Sequence, residues 1–279
     1  MGRKRVSLSR EDTRKYFLTK FWSLQNQVKM KLSNQLKAKD ETLDTFYSGR
    51  ILVLQKRKGY RFSVDAPLLA DFIRTEASDE LLELGTGNGI IPLLLSIKPF
   101  KTITAVEIQA SLADLARRNV ILNNLEEKIQ IVEEDLRAFR PGKKFDVVFS
   151  NPPYIKKETG HLSPSVEKSV AKHELKCNIN DIVKKTQELL KEEGRANFIY
   201  PVDRKDDFRR VLKENDLGIK TMRFILPRKE TPPTLFMVEA GFSSQEPELL
   251  PPFILYDDKG EYTAEANEVF QGRANAASF

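Results

Sequence analysis

Five residues near the middle of the chain, Ser150-Asn151-Pro152-Pro153-Tyr154, bring together groups that could do chemistry. They follow Phe145-Asp146-Val147-Val148-Phe149, a short β-branched and aromatic run that reads as a buried strand stopped by prolines. Proline has no N–H and fixes its own φ, so the pair stiffens the loop and leaves the carbonyls around it without helix or sheet partners. Asn151 adds a side-chain carbonyl and Tyr154 a flat π-face. Two acceptors beside an aromatic platform suit a planar group with an exocyclic NH2, the acceptors taking its two hydrogens while the ring stacks. Asn151, Pro152, Pro153 and Tyr154 are therefore the candidate catalytic residues. A proline-rich turn that merely caps a strand would look the same, and a second motif upstream decides between the two.

That motif is Leu81-Leu82-Glu83-Leu84-Gly85-Thr86-Gly87-Asn88-Gly89-Ile90, a strand, a glycine-rich turn and a helix start. Glycines at alternate positions let the backbone turn sharply and approach a ligand. Eighteen residues after Gly89 the next strand ends at Glu107, where a carboxylate can accept both ribose hydroxyls of a nucleoside. The spacing Gly-x-Gly-x-Gly leaves less room for a pyrophosphate than the dinucleotide fingerprint, and is similar to the turn of S-adenosylmethionine enzymes. A third strand ends at Ile131-Val132-Glu133-Glu134-Asp135-Leu136. There Asp135 is the acid expected beside the adenine, while Glu133 and Glu134 could be solvated neighbours. The expected cofactor contacts are thus Glu83, Gly85, Thr86, Gly87, Asn88, Gly89, Glu107, Ile108, Asp135, Leu136 and Asn151. All fall at carboxyl ends of strands, where open α/β sheets bind ligands.

The elements that must position these residues alternate regularly. Strands are expected at 80–84, 102–107, 128–132, 145–150, 195–200, 219–226 and 234–242, and helices near 90–97, 111–123, 180–192 and 203–215. This predicts an α/β fold: a seven-stranded, mostly parallel, doubly wound Rossmann-like sheet with one antiparallel edge strand. Ahead of it, Ile51–Leu54 reads as a strand, Asp40–Tyr47 as polar chain, and Leu68, Leu69, Phe72 and Ile73 as one helix face. Beyond it come a hairpin at 255–262 and a polar helix at 263–271.

Charge divides the chain. Of 46 Lys/Arg and 40 Asp/Glu, residues 1–40 hold eleven and three, a balance of +8, and the rest balances at −2. From Ser9 a helix is expected, with Phe17, Phe21, Leu24, Val28 and Leu32 on one face among basic residues. It reads as a phosphate-gripping arm, as a helix packed on the body, or as a transit peptide weakened by Glu11 and Asp12. The expected organisation is a basic helical extension at 1–40, one catalytic domain at 41–271 and a tail at 272–279. One cysteine, Cys177, and two histidines, His161 and His173, make no disulfide and no usual zinc set, so a reducing compartment and no metal are expected. No apolar run has the roughly 18 residues of a membrane span.

The quoted motifs resemble the class I S-adenosylmethionine-dependent amino-methyltransferases, whose hallmark is Asn-Pro-Pro-Tyr after the fourth strand. Gly59-Tyr60-Arg61-Phe62-Ser63-Val64-Asp65, Leu68-Leu69-Ala70-Asp71-Phe72, Ala171-Lys172-His173-Glu174 and Tyr262-Thr263-Ala264-Glu265 narrow the likeness to bacterial valine-tRNA adenine-N6 methyltransferases. The resemblance covers residues 41–271. It implies S-adenosylmethionine as cofactor, tRNA as partner in the cytoplasm, an adenine N6 near the anticodon as target, and Phe62 and Asp65 as further cofactor contacts. The competing readings are a release-factor glutamine-N5 methyltransferase, disfavoured by the single basic helix and the lack of Glu-Pro after Tyr154, and an inactive RNA-binding module. His173 reads as a surface or helix-start residue rather than a base.

Overall fold

The computed structural model describes residues 30–58, 63–152, 178–242 and 246–272. The alternation read from the sequence becomes one sheet. Its strands are β3 (Glu80–Leu84), β4 (Thr102–Glu107), β5 (Ile129–Glu133), β6 (Phe145–Ser150), β7 (Leu190–Pro201), β8 (Gly218–Leu226) and β9 (Leu235–Gly241). Two short additions, β10 (Glu248–Leu249) and β11 (Phe253–Ile254), lie along β8. The order is β10-β8-β9-β7-β6-β3-β4-β5, with β11 also on β8. Only β9 runs antiparallel to its neighbours, between β7 and β8, so the antiparallel pairing lies toward one edge with β8 outside it.

Helices cover both faces. On one face α1 (Asp65–Phe72), α2 (Ile90–Leu95) and α6 (Ala264–Gln271) bury Leu68, Leu69, Ile91, Leu94 and Val269 against Leu81, Val147, Phe149 and Ile199. On the other, α4 (Ile179–Leu189) and α5 (Lys205–Glu214) bury Ile182, Val183, Phe208 and Leu212 against Leu82, Val148, Phe198 and Phe236. Strands buried on both sides explain the near-continuous apolar runs in the sequence. Among the described residues, no helix is long and apolar enough to cross a membrane.

A separate antiparallel pair, β1 (Glu41–Phe46) and β2 (Ile51–Lys56), packs on α3 (Ala110–Leu122) through Leu52, Leu54, Leu112, Leu115 and Leu122. β1 falls in the stretch read as polar chain, because cross-strand pairing with β2 supplies what its composition does not. β7 also begins earlier than expected. Leu190 pairs with Phe145, and a bulge follows before Arg195 meets Val147, so 190–192 leave the helix for the sheet. The expected hairpin at 255–262 reduces to a single bridge between Tyr256 and Tyr262, whose rings stack with centroids 5.1 Å apart. Of the N-terminal apolar stripe, Phe17, Phe21, Leu24 and Val28 lie outside the described residues. Leu32, in a helical stretch at 30–36, packs with Leu36 and Leu43 against the β2–α3 cluster.

Candidate active site

The strand order reverses between β3 and β6, with β4 continuing on one side and β7 on the other. A crevice at the carboxyl ends of β3 and β6 is the place where such sheets take ligands. The glycine turn opens there. Gly85, Gly87 and Gly89 have φ of +81°, +60° and +81°, values that L side chains rarely adopt. A Cβ on Gly89 would stand 3.2 Å from Cβ of Ala116 on α3, so this glycine also admits the close helix approach. The backbone N–H groups of Gly85 and Thr86 both donate to the Val106 carbonyl, at 2.9 and 3.0 Å, which fastens the turn to β4.

Glu107 ends β4 and is almost fully buried. Its Oε2 accepts from the Gly87 N–H at 2.8 Å and its Oε1 from the Gln109 N–H at 2.9 Å. A carboxylate has about four acceptor sites, so these two bonds orient it without exhausting it. On the other side of the turn, the Ser150 hydroxyl at the end of β6 donates to the Leu84 carbonyl at 2.6 Å. That buried bond sets the next residue, half-buried Asn151, beside the start of the glycine turn, with Pro152 buried behind it. Asn119, fully buried on α3, donates from Nδ2 to the carbonyls of Asn88 and Leu54, each at 2.9 Å, and accepts from the Leu54 N–H at 2.7 Å. One amide therefore joins the glycine turn to β2.

Burial has electrostatic consequences here. Glu83 is 1% exposed and its Oε2 has no hydrogen-bond partner. Burial pushes its carboxyl up to about 8, with the charge of Glu107 adding to the rise. Both polar atoms of the Asn88 side chain are likewise buried without a partner. Native proteins rarely leave such groups unpaired, and a cluster of them around a glycine turn marks a place where a ligand completes the bonding.

A family model, that of the methyltransferase small domain, matches residues 61–215, more than half of the chain. The chain belongs to the methyltransferase small domain family. Similar proteins include the tRNA1(Val) (adenine(37)-N6)-methyltransferase of Flavobacteriaceae bacterium (strain 3519-10). It is 28% identical over 169 residues, which are 60% of this chain and 71% of that one. The protein of the same name from Bacteroides thetaiotaomicron is 27% identical over 188 residues, 66% of this chain and 78% of its own. Among solved structures, a predicted O-methyltransferase from Agrobacterium tumefaciens matches with a TM-score of 0.59 at 18% identity, over 77% of this chain and 99% of that one. At that identity the likeness speaks for the fold alone.

In this methyltransferase, the expected site residues divide into three groups. Glu83, Gly85, Thr86, Gly87, Asn88, Gly89, Glu107 and Asn151 converge on the switch-point crevice, as described. Ile108 follows Glu107 and is 45% exposed, an uncovered apolar side chain suited to a flat ring. Asp135 stands one strand further out, and its carboxylate is held by the Arg137 guanidinium and backbone N–H, which keep it below the usual carboxylate range. Leu136 beside it is buried in the core, and Asp65 is buried in the first turn of α1. Phe62, Pro153 and Tyr154 lie outside the described residues, as do His161, His173 and Cys177.

The sequence reading missed Ser150 and Asn119 as positioning residues. Asn119 and Asn123 stand four apart on one turn of α3, and a pair of amides on the buried face of an amphipathic helix was the available signal. Asn123 repeats the pattern toward Leu52, accepting from its N–H at 3.0 Å and donating to its carbonyl at 2.7 Å.

Proposed function

We propose that this chain uses S-adenosylmethionine to methylate the exocyclic N6 amine of an adenine in tRNA, in the anticodon-loop region. The observation that carries the proposal is the Ser150–Leu84 bond, which sets Asn151 against the glycine turn. That supports a reading in which an amine-accepting side chain and a nucleoside-binding turn form the two lips of one crevice. The names of the two relatives support the choice of adenine in tRNA over other amines.

The buried unpaired atoms around the turn fit the cofactor's polar groups. Glu107 would hold the ribose hydroxyls, Ile108 would cover the adenine, and Glu83, Thr86 and Asn88 would face the amino-acid end, with Phe62, Asp65, Asp135 and Leu136 completing the wall. Bound S-adenosylmethionine supplies a methyl group on a sulfonium, activated for transfer. The chain's own task is to prepare the amine. The side-chain carbonyl of Asn151 and the backbone carbonyl of Pro152 accept its two hydrogens and favour a pyramidal nitrogen as positive charge develops there. Pro153 keeps the loop stiff, and Tyr154 stacks on the adenine, worth about 1–3 kcal/mol per base. The methylated nitrogen is acidic enough to lose its proton to water, so no strong base is needed. Residues 1–40 are proposed to extend this catalytic domain, 41–271, along the RNA.

Incubation of the protein with labelled S-adenosylmethionine and bulk tRNA, followed by nucleoside mass spectrometry, tests the proposal. N6-methyladenosine is the expected product. Label on another nucleoside, or transfer to a glutamine-bearing protein instead of RNA, would replace it.

A further inference from the structure

The positive charge of this protein does not stop at residue 40. Residues 30–58 carry seven Lys/Arg against three Asp/Glu, and the remainder from 59 onward balances at −4. All three acids in 30–58 are engaged. Asp40 and Glu41 pair with Lys56, both at 3.1 Å, Glu41 is gripped by Arg118, and Asp44 accepts from the Gln55 amide. Lys39, Arg57 and Lys58 are exposed, and no side-chain partner for them occurs among the described residues.

Register places these three cations together. Glu41 pairs with Lys56, and the ladder continues by one residue, since the Arg57 N–H donates to the Asp40 carbonyl at 2.8 Å. Lys58 follows Arg57, and Lys39 precedes Asp40 in the turn closed by the Glu41 N–H on the Ala38 carbonyl, so both lie at the open end of the β1–β2 pair. That end points toward the crevice. Asn123 holds Leu52 and Asn119, one turn earlier on α3, holds Leu54 and the glycine turn, so the chain from Leu54 to Lys58 runs toward the start of α3, just beyond Glu107.

The surface is also held in place before any partner arrives. Arg118 donates to the Leu36 carbonyl at 2.9 Å and to both Glu41 oxygens at 2.8 and 2.9 Å, and the buried Glu41 accepts from the Ala38 N–H at 2.9 Å. Arg118 holds the Glu41 carboxyl down at about 2, so the clamp is intact throughout the neutral range. A fixed set of unpaired cations binds a polyanion without first ordering its own backbone.

We infer that the open end of the β1–β2 pair, through Lys39, Arg57 and Lys58, is a docking surface for the phosphodiester backbone of the RNA whose base enters the crevice. This rests on the proposed action on RNA and adds where the strand lies. It sets the strand on the β4–α3 side of the site, opposite β7.

Phosphate contacts release counterions, so binding should weaken with salt in proportion to their number. The triple variant Lys39→Ala, Arg57→Ala, Lys58→Ala and the wild type would be titrated with bulk tRNA across a range of salt concentrations. Three lost contacts should flatten the log–log slope by about 2 to 3 and raise Kd about tenfold or more at low salt. Melting temperature and affinity for S-adenosylhomocysteine should not move. A control variant removing three exposed cations of the α4–α5 layer, Lys184→Ala, Arg209→Ala and Lys213→Ala, should keep the wild-type slope. An unchanged slope in the first variant, or an equal loss in both, would show a merely solvated face and overturn the inference. Wild-type protein that neither binds nor methylates tRNA would instead overturn the functional reading beneath it.

Discussion

Around the switch point, the two ends of the central sheet treat their acids differently. At the amino end of β3 and β6 three carboxylates close on bases. Asp79 meets Arg195 at 2.5 Å, Asp146 meets Lys191 at 2.8 Å, and Glu80 meets Lys143 at 3.0 Å. At the carboxyl end Glu107 accepts from backbone N–H groups, Gly87 of the glycine turn and Gln109 at the start of α3, and Glu83 keeps one oxygen buried and unpaired. Pairing at the amino end fastens chain to chain. At the carboxyl end unsatisfied capacity is held in reserve, at a cost to stability, where a ligand can use it.

The strongest way to test that contrast is at Asn151. Asn151→Ala should lower the single-turnover rate by about 10²–10³, the usual effect of losing one preorganised group, with calorimetry showing near-normal affinity for S-adenosylhomocysteine. A variant that turns over normally would take Asn151 out of the proposed chemistry. Glu107→Ala should act on the other quantity, weakening cofactor affinity by about 1.5–3 kcal/mol for each charged hydrogen bond lost. Unchanged affinity would mean that Glu107 serves only the turn.

Asp79→Asn probes the opposite end. Loss of the charge facing Arg195 should lower stability by about 1–3 kcal/mol in denaturant titrations, while cofactor affinity stays at the wild-type value. A change in affinity would show that the two ends are coupled. A further effect is expected at Glu83 and appears as a pH dependence. Its carboxyl is raised from 4.5 to about 8 by burial, so between those values the unfolded chain releases a proton that the folded chain keeps. Stability of the cofactor-free protein should therefore fall as pH rises through that window and level off above it. Glu83→Gln should flatten this decline, measured as melting temperature against pH. An identical slope in both proteins would assign it to other groups.

Much of the architecture was legible because it is local. Apolar runs of five to six residues broken by turns specified β3, β4 and β6 nearly to the residue, and the amphipathic period specified α3 and α5. The glycine turn and Glu107 were legible for a related reason. Positive φ and a strand-end acid are requirements of the backbone itself, visible as residue types at set spacing. β1 was not legible, since Glu41 and Asp44 are poor strand formers that break its pattern, and pairing with β2 is what makes the segment a strand. Nor could composition show that β9 would slip between β7 and β8.

What the sequence determined by itself is the alternation of strands and helices, the turn at Gly85–Gly89 and the acceptor-bearing loop at Asn151. Only the tertiary structure decided how these meet. The bonds that join them run between Ser150 and Leu84, Asn119 and Asn88, Arg118 and Glu41, pairs separated by 66, 31 and 77 residues. Each of these residues, taken alone, is an ordinary serine, asparagine or arginine on a strand end or helix face. Its partner is chosen by sheet order and by the packing of α3 against β2. Those follow from burying all the apolar faces at once, a condition that no local stretch of sequence states.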